Sequence, residues 1–317
     1  MPLLPVVAIS GPTAAGKSSL AMALCRALPQ GGEIVSVDSA QIYRGMDIGS
    51  AKPDPAALAE VRHHLIDILD PIEPYSAVRF ADDAAAAIAD IRSRGRVPVL
   101  VGGTLLYHRA LFEGLNDLPP ADPALRLELE AERVRIGAEA QHARLAAIDP
   151  ITAARLHPND SQRVQRALEI HRLSGRAASA WHAEPTASDR VPGTVLRYAV
   201  SPPDKPAFDR RIAQRFRQMV EAGLVEEVTR LRARGDLHLG LPSMRAVGYR
   251  QIWNHLDGAC SLAEALKQGV IATRQYAKRQ MTWLRSDPSW SWIEAAEPAA
   301  LARVLNAVES SQTTGSP

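Results

Sequence analysis

The sequence predicts an α/β protein, a P-loop-type doubly wound parallel sheet core with an all-helical insertion domain. Three observations carry that expectation. Strand-like and helix-like segments alternate from the N-terminus. Residues 11–18, Gly-Pro-Thr-Ala-Ala-Gly-Lys-Ser, spell a complete phosphate-cradling loop between the first strand and the first helix. From residue 118 the alternation gives way to nearly unbroken helix, and a strand signal returns only at Val195.

Val6–Ile9 is a short apolar run and reads as the first strand; Ser19–Leu28 has helical spacing. Glu33–Val37 is β-rich and ends at Asp38, and residues 53–63 read as helix or loop. Residues 76–94 form an Ala-rich helix with Ser76 as N-cap, stopped by Gly95. Val97–Val101 is continuously apolar, as in a parallel strand covered on both faces. Gly102 and Gly103 end it, and Thr104–Leu111 looks helical. This βαβα order is that of a doubly wound core.

Leu118-Pro119-Pro120 then punctuates the chain. Asp122 is a strong N-cap with Pro123 at the first helical position, and helix signals run on to Arg176. Residues 183–194 read as loop, and Val195–Val200 as a returning strand. Long helices are expected at 206–234 and 262–286. The expected organisation is a first core segment at 1–117, a helical insertion at 118–194, a second core segment with basic helices at 195–308, and a disordered tail at 309–317.

The 317 residues, 46% of them hydrophobic, suffice for such an architecture. No apolar run reaches membrane-spanning length. Two cysteines, Cys25 and Cys260, fit a reducing compartment and give no metal pattern. The expectation is a cytoplasmic enzyme that acts as a monomer and contacts no membrane. Net charge is only +2, yet Lys205 to Arg285 carries 15 Lys or Arg against 7 Asp or Glu. A basic C-terminal third suggests a polyanionic partner; a solvated helix face is the competing explanation.

The loop explains itself chemically. Gly11, Pro12, Thr13, Ala14, Ala15 and Gly16 offer backbone N–H groups at a helix N-terminus, Lys17 supplies a cation, and Ser18 can ligate Mg²⁺. Such loops also bind ATP. Asp38, at the end of the next strand, can accept a proton or hold Mg²⁺ through water, or it can simply form a turn. Ser39, Ala40 and Gln41 follow on the same rim. Thr104 faces the same crevice behind its two glycines. The Gly102–Thr104 strand end lacks a second acidic residue, which disfavours a motor or switch ATPase.

Further along, Gln162, Arg163, Gln165 and Arg166 set amides beside guanidiniums, a pairing suited to base edges and phosphates. Arg211 and Arg215 share a helix face, from which one can reach a leaving pyrophosphate. Arg245 and Arg250 bracket Gly248 and Tyr249; the tyrosine can stack on a base or belong to the core. Lys267, Arg274, Lys278 and Arg285 fall within about 40° of one another on a helix, beside an apolar stripe of Leu266, Val270, Ala277 and Leu284.

The ordered series Gly11–Ser18, Val37–Gln41, Gly49–Lys52, Gly102–Thr104, Gln162–Arg166, Arg245–Arg250 and Arg274–Gln280 resembles the bacterial tRNA dimethylallyltransferase (tRNA isopentenyltransferase) family. The likeness spans Val6 to Arg285. It implies transfer of a dimethylallyl group from dimethylallyl diphosphate to N6 of the adenosine beside the tRNA anticodon, with Mg²⁺ as cofactor and the anticodon stem-loop as partner. By that likeness Thr13 hydrogen-bonds the bridging oxygen, Asp38 positions the amine and takes its proton, and Lys17 and Arg215 stabilise the pyrophosphate. The family's tRNA contacts fall on Asp38, Ser39, Ala40, Gln41, Thr104 and Arg126. They continue through Gln162, Arg163, Val164, Gln165 and Arg166, then Arg245, Ala246, Val247, Gly248, Tyr249 and Arg250. They end with Arg274, Gln275, Lys278, Arg279, Gln280 and Met281.

Three other readings compete. A P-loop kinase using ATP on a small metabolite would share the loop and Asp38, but needs no basic third. A prenyltransferase acting on free adenine nucleotides needs none either. A non-enzymatic RNA-binding module leaves Lys17 and Ser18 without purpose.

Overall fold

The computed structural model describes residues 3–295 and 298–313. Among these, six strands form one sheet: β1 (Val6–Ser10), β2 (Gly32–Ser36), β3 (His63–His64), β4 (Val97–Val101), β5 (Val195–Ser201) and β6 (Ser291–Glu294). Their order is β3-β2-β4-β1-β5-β6, and every neighbouring pair is parallel. Every residue of β1, β2 and β4 is buried. Hence the Val97–Val101 segment shows no alternation: both faces are covered.

The first four helices, α1 (Lys17–Ala27), α2 (Pro55–Glu60), α3 (Ala77–Ser93) and α4 (Leu105–Phe112), follow the strands as crossovers. The Ser76 side chain accepts from Arg79 N at 3.0 Å, so it does cap α3. One apolar core packs Leu20 and Leu24 of α1 against Val7, Ile9, Val99 and Val101.

The chain divides into two compact units, Met1–Phe112 with Ser188–Pro317, and Glu113–Ala187. The insertion therefore starts and ends earlier than 118–194. The polar stretch after Ala187 belongs to the core because it bonds there: Ser188 Oγ donates to Leu111 O at 2.7 Å, and Arg190 pairs with Asp82 at 2.8 Å. The inserted unit contains α5 (Pro123–Ile136), α6 (Ala138–Ile148), α7 (Pro150–Arg155), α8 (Ser161–Ser174) and α9 (Ala178–His182). Its core gathers Leu129, Leu145, Val164 and Leu168.

The remaining helices are α10 (Lys205–Glu221), α11 (Leu224–Ala233), α12 (Tyr249–Leu256), α13 (Leu262–Ser286) and α14 (Pro298–Thr313). The single helix expected at 206–234 is two, broken at Gly223, whose φ of 103° no helix interior adopts. Residues 309–313 of the expected tail belong to α14, which Val304 and Val308 bury in the same core as α1; residues 314–317 lie outside the described residues. No helix among the described residues is long and apolar enough to cross a membrane.

Candidate active site

The phosphate loop leaves β1 at the carboxyl edge of the sheet and enters α1 at Lys17. Gly16 caps that helix with φ 99°, a left-handed conformation that a side chain would strain. Arg211 of α10 donates to Ala14 O at 3.1 Å, and Lys17 Nζ to Pro12 O at 2.8 Å. The Lys17 ammonium is lowered to about 8, chiefly by burial; Asp38 opposes that shift and Arg215 adds to it. Burial likewise lowers Arg215, with Asp38 opposing.

Asp38 lies just past the end of β2. Its Oδ1 accepts from Ala40 N at 2.8 Å and Gln41 N at 3.3 Å. The turn-forming role read from the sequence is therefore real, and it leaves Oδ2 without a hydrogen bond from the described residues. Thr104 N bonds Val37 O at 3.2 Å, which brings the end of β4 beside Asp38.

Lys17, Asp38, Gln41, Arg211 and Arg215 line one cavity of about 1030 Å³, whereas Thr104 is not among its lining residues. One part of its wall is Lys17, Ser18, Arg211 and Arg215; another is Asp38, Gln41 and Tyr276. Two lining groups were not singled out from sequence for this place. The Tyr276 phenol is pushed up to about 12, first by burial and then by Asp38, so it stays a protonated donor near neutrality. Gln280, four residues on, accepts from Thr13 N at 3.2 Å through Oε1 and donates to Gly103 O at 2.8 Å through Nε2. A Cβ on Gly103 would stand 2.0 Å from that Nε2. The i, i+4 spacing of Tyr276 and Gln280 was the available signal.

The structure separates the RNA-facing candidates. Ser39, Arg250, Arg274, Gln275, Lys278 and Arg279 are exposed. Arg274 pairs with Asp209 at 3.1 Å. Arg245, also exposed, bonds Gly240 O, while Ala246, Val247 and Met281 are partly covered. Three candidates are internal instead. Tyr249 is fully buried with its hydroxyl on Glu227 at 2.6 Å, Gly248 is buried at the start of α12, and Gln280 is the fork just described. Tyr249 and Gly248 belong to the scaffold because apolar packing and internal bonds use their contact surface, whereas Gln280 still lines the cavity.

Within the inserted unit, Val164 is core. Gln162 and Arg163 are exposed, the latter paired with Asp160, and Gln165 bonds Glu130. Arg126 and Arg166 converge on the fully buried Glu169, which also accepts from Asp122 N at 2.9 Å. Replacing Glu169 by Ala strips these donors of their acceptor. We expect a loss on the order of 3 kcal/mol, read by thermal or urea unfolding.

A parallel α/β sheet carrying a phosphate loop and a facing carboxylate at its carboxyl edge defines a protein that handles a phosphate ester there. Family models narrow this: one described as IPP transferase matches residues 41–287, and one described as isopentenyl transferase matches residues 4–72. A tRNA dimethylallyltransferase of Bordetella petrii is 55% identical over 305 residues, 96% of each chain. One of Halorhodospira halophila is 60% identical over 284 residues, 89% of this chain and 90% of that one. Among solved structures, the tRNA isopentenylpyrophosphate transferase of Bacillus halodurans is 37% identical, with TM-score 0.70 and 98% coverage of both chains. A eukaryotic dimethylallyltransferase acting on tRNA superposes with TM-score 0.77 at 25% identity, covering 99% of this chain and 80% of that one. The chain belongs to the tRNA dimethylallyltransferase family.

Proposed function

We propose that this chain transfers the dimethylallyl group of dimethylallyl diphosphate to N6 of the adenosine adjacent to the anticodon in tRNA, releasing diphosphate. The supporting observation is one cavity lined both by cationic groups, Lys17, Arg211 and Arg215, and by Asp38, Gln41 and Tyr276. Family membership supplies the reaction class.

An exocyclic adenine amine is a weak nucleophile, because its lone pair is conjugated with the ring. The allylic carbon compensates by delocalising positive charge. As the N6–C1 bond forms and the C1–O bond breaks, the electron pair leaves on diphosphate. Loop N–H groups, Lys17 and Arg215 stabilise that charge, and Thr13 serves the bridging oxygen. Asp38 takes the amine proton through its free Oδ2. Tyr276 remains a hydrogen-bond donor on the same wall. The target base must leave its stack to enter the cavity, the usual way that proteins reach a base in an RNA loop.

Mg²⁺ fits by donor chemistry, since the exposed Ser18 hydroxyl and the Asp38 carboxylate offer hard oxygens to the same cavity. When bound, it would neutralise charge on the diphosphate. We read the enzyme as a cytoplasmic monomer; its free cysteines Cys25 and Cys260 fit a reducing compartment.

Incubation with Mg²⁺, bulk tRNA and labelled dimethylallyl diphosphate, followed by nucleoside mass spectrometry, tests the proposal. The expected product is an N6-dimethylallyl adenosine. Unlabelled tRNA together with ATP-dependent phosphorylation of a metabolite would favour the kinase reading. Arg274→Ala with Lys278→Ala should weaken tRNA binding and lower the slope of log K against log salt by about 1 to 2. An unchanged slope would return this helix edge to a solvated surface.

A further inference from the structure

The motif Gly49-Ser-Ala-Lys52 has no part in the chemistry above, and its surroundings explain it. Residues 47–52 form one isolated turn. Lys52 N bonds Asp47 O and Ala51 N bonds Ile48 O, each at 3.0 Å, with Ala51 left-handed at φ 52°. That is a helix-ending motif without a helix, and its left-handed position is filled by alanine rather than glycine. Something must hold it. The N–H groups of Asp47, Ile48 and Gly49 all donate to the buried Glu227 carboxylate, at 3.0, 2.8 and 3.1 Å. The Tyr249 hydroxyl supplies the fourth bond, at 2.6 Å. Three successive N–H groups converging on an anion make a nest, and here the anion is internal to the chain.

Gly49 allows the clamp to close, since a Cβ there would meet the Tyr249 ring at 2.6 Å. The far end of the turn faces the cavity: the Ser50 and Ala51 carbonyls accept from Gln41 Nε2 at 3.4 and 3.2 Å. Gln41 Oε1 takes the Ser36 hydroxyl at 2.9 Å, and Gln41 N completes the Asp38 turn. An unbroken series of contacts thus joins Glu227 to the carboxylate rim.

We propose that Glu227 is a positioning residue for prenyl transfer. Through the 47–51 turn it fixes Gln41, and with it the Asp38 end of the cavity, without touching substrate. This rests on the prenyl-transfer reading. Tyr249 is the second half of the clamp rather than a base-stacking platform.

Glu227→Gln replaces one acceptor oxygen by an NH2 group that faces backbone donors. It should lower kcat about tenfold or more while the KM for dimethylallyl diphosphate changes less than about threefold, because the phosphate loop is untouched. Tyr249→Phe keeps the three backbone bonds and should show a smaller loss of the same kind. A cycle with Gln41→Ala separates positioning from general destabilisation. If Glu227 acts through Gln41, the double variant should be no slower than the slower single variant, whereas independent effects multiply. Circular dichroism and thermal melts of each variant establish that it is folded. Multiplying effects, or unchanged kcat in Glu227→Gln, would overturn the proposal. Absence of prenyl transfer by the unsubstituted chain would overturn the reaction instead.

Discussion

Asp38→Asn is expected to lower kcat for prenyl transfer by about 10³-fold while leaving tRNA affinity within about threefold. The substitution is chosen for its geometry. An asparagine Oδ1 can still accept the Ala40 and Gln41 N–H groups that hold the turn, so the rim keeps its shape. What is lost is a carboxylate able to take the N6 proton. Asp38→Ala removes the turn bonds as well and should be at least as slow. Single-turnover transfer measures the chemical step, and filter binding measures tRNA affinity. Unimpaired turnover in Asp38→Asn would remove Asp38 from proton transfer and leave it a turn residue only.

The second large effect concerns Lys17. Lys17→Ala should lower kcat/KM for dimethylallyl diphosphate by about 10²- to 10³-fold, the usual consequence of losing one donor to a developing anion. The wild-type chain carries a further signature. Burial lowers its Lys17 ammonium to about 8. On the proposed role of Lys17, charge for capture of the diphosphate disappears as pH rises through that value, and kcat/KM should fall above about pH 8. The kcat profile should be flatter, because bound diphosphate restores the ammonium. Lys17 also affects stability with a definite sign. The folded chain holds fewer protons here than the unfolded chain between about 8 and the ordinary 10.5, so this group makes stability rise with pH across that window. A kcat/KM flat up to pH 10 would show that Lys17 is not the capturing cation.

The sheet and the phosphate loop were readable because their signals are local. Continuous apolar runs such as Val97–Val101 can lie only between covered layers, and the loop spells its function within eight residues. Ser76 and Asp122 announced helix starts by the chemistry of their own side chains. What escaped depends on partners distant in sequence. The four-residue β6 is a strand because β5 offers it an edge, with Val200 opposite Ile293. Residues 309–313 look like a polar tail until α1 supplies a surface for Val304 and Val308. The basic edge of α13 was legible, but the inward aim of Gln280 was not, since Thr13 and Gly103 are far from it along the chain. Val164 and Tyr249 carry the same lesson in reverse: inside motifs that suggest RNA, their side chains fill cores.

The Gln280 amide has a thermodynamic corollary. It ties the phosphate loop and the end of β4 to one point on α13, the helix whose outer side exposes Arg274 and Lys278. A polyanion that shifts α13 by a fraction of an ångström must stretch or relax the bond to Thr13 N. Two ligands touching opposite sides of that helix are then expected to bind with coupled affinities. Linkage requires that the factor by which one changes the other's affinity be the same in either order of addition. Gln280→Leu, which removes both bonds and retains much of the side chain's bulk, should bring that factor toward one.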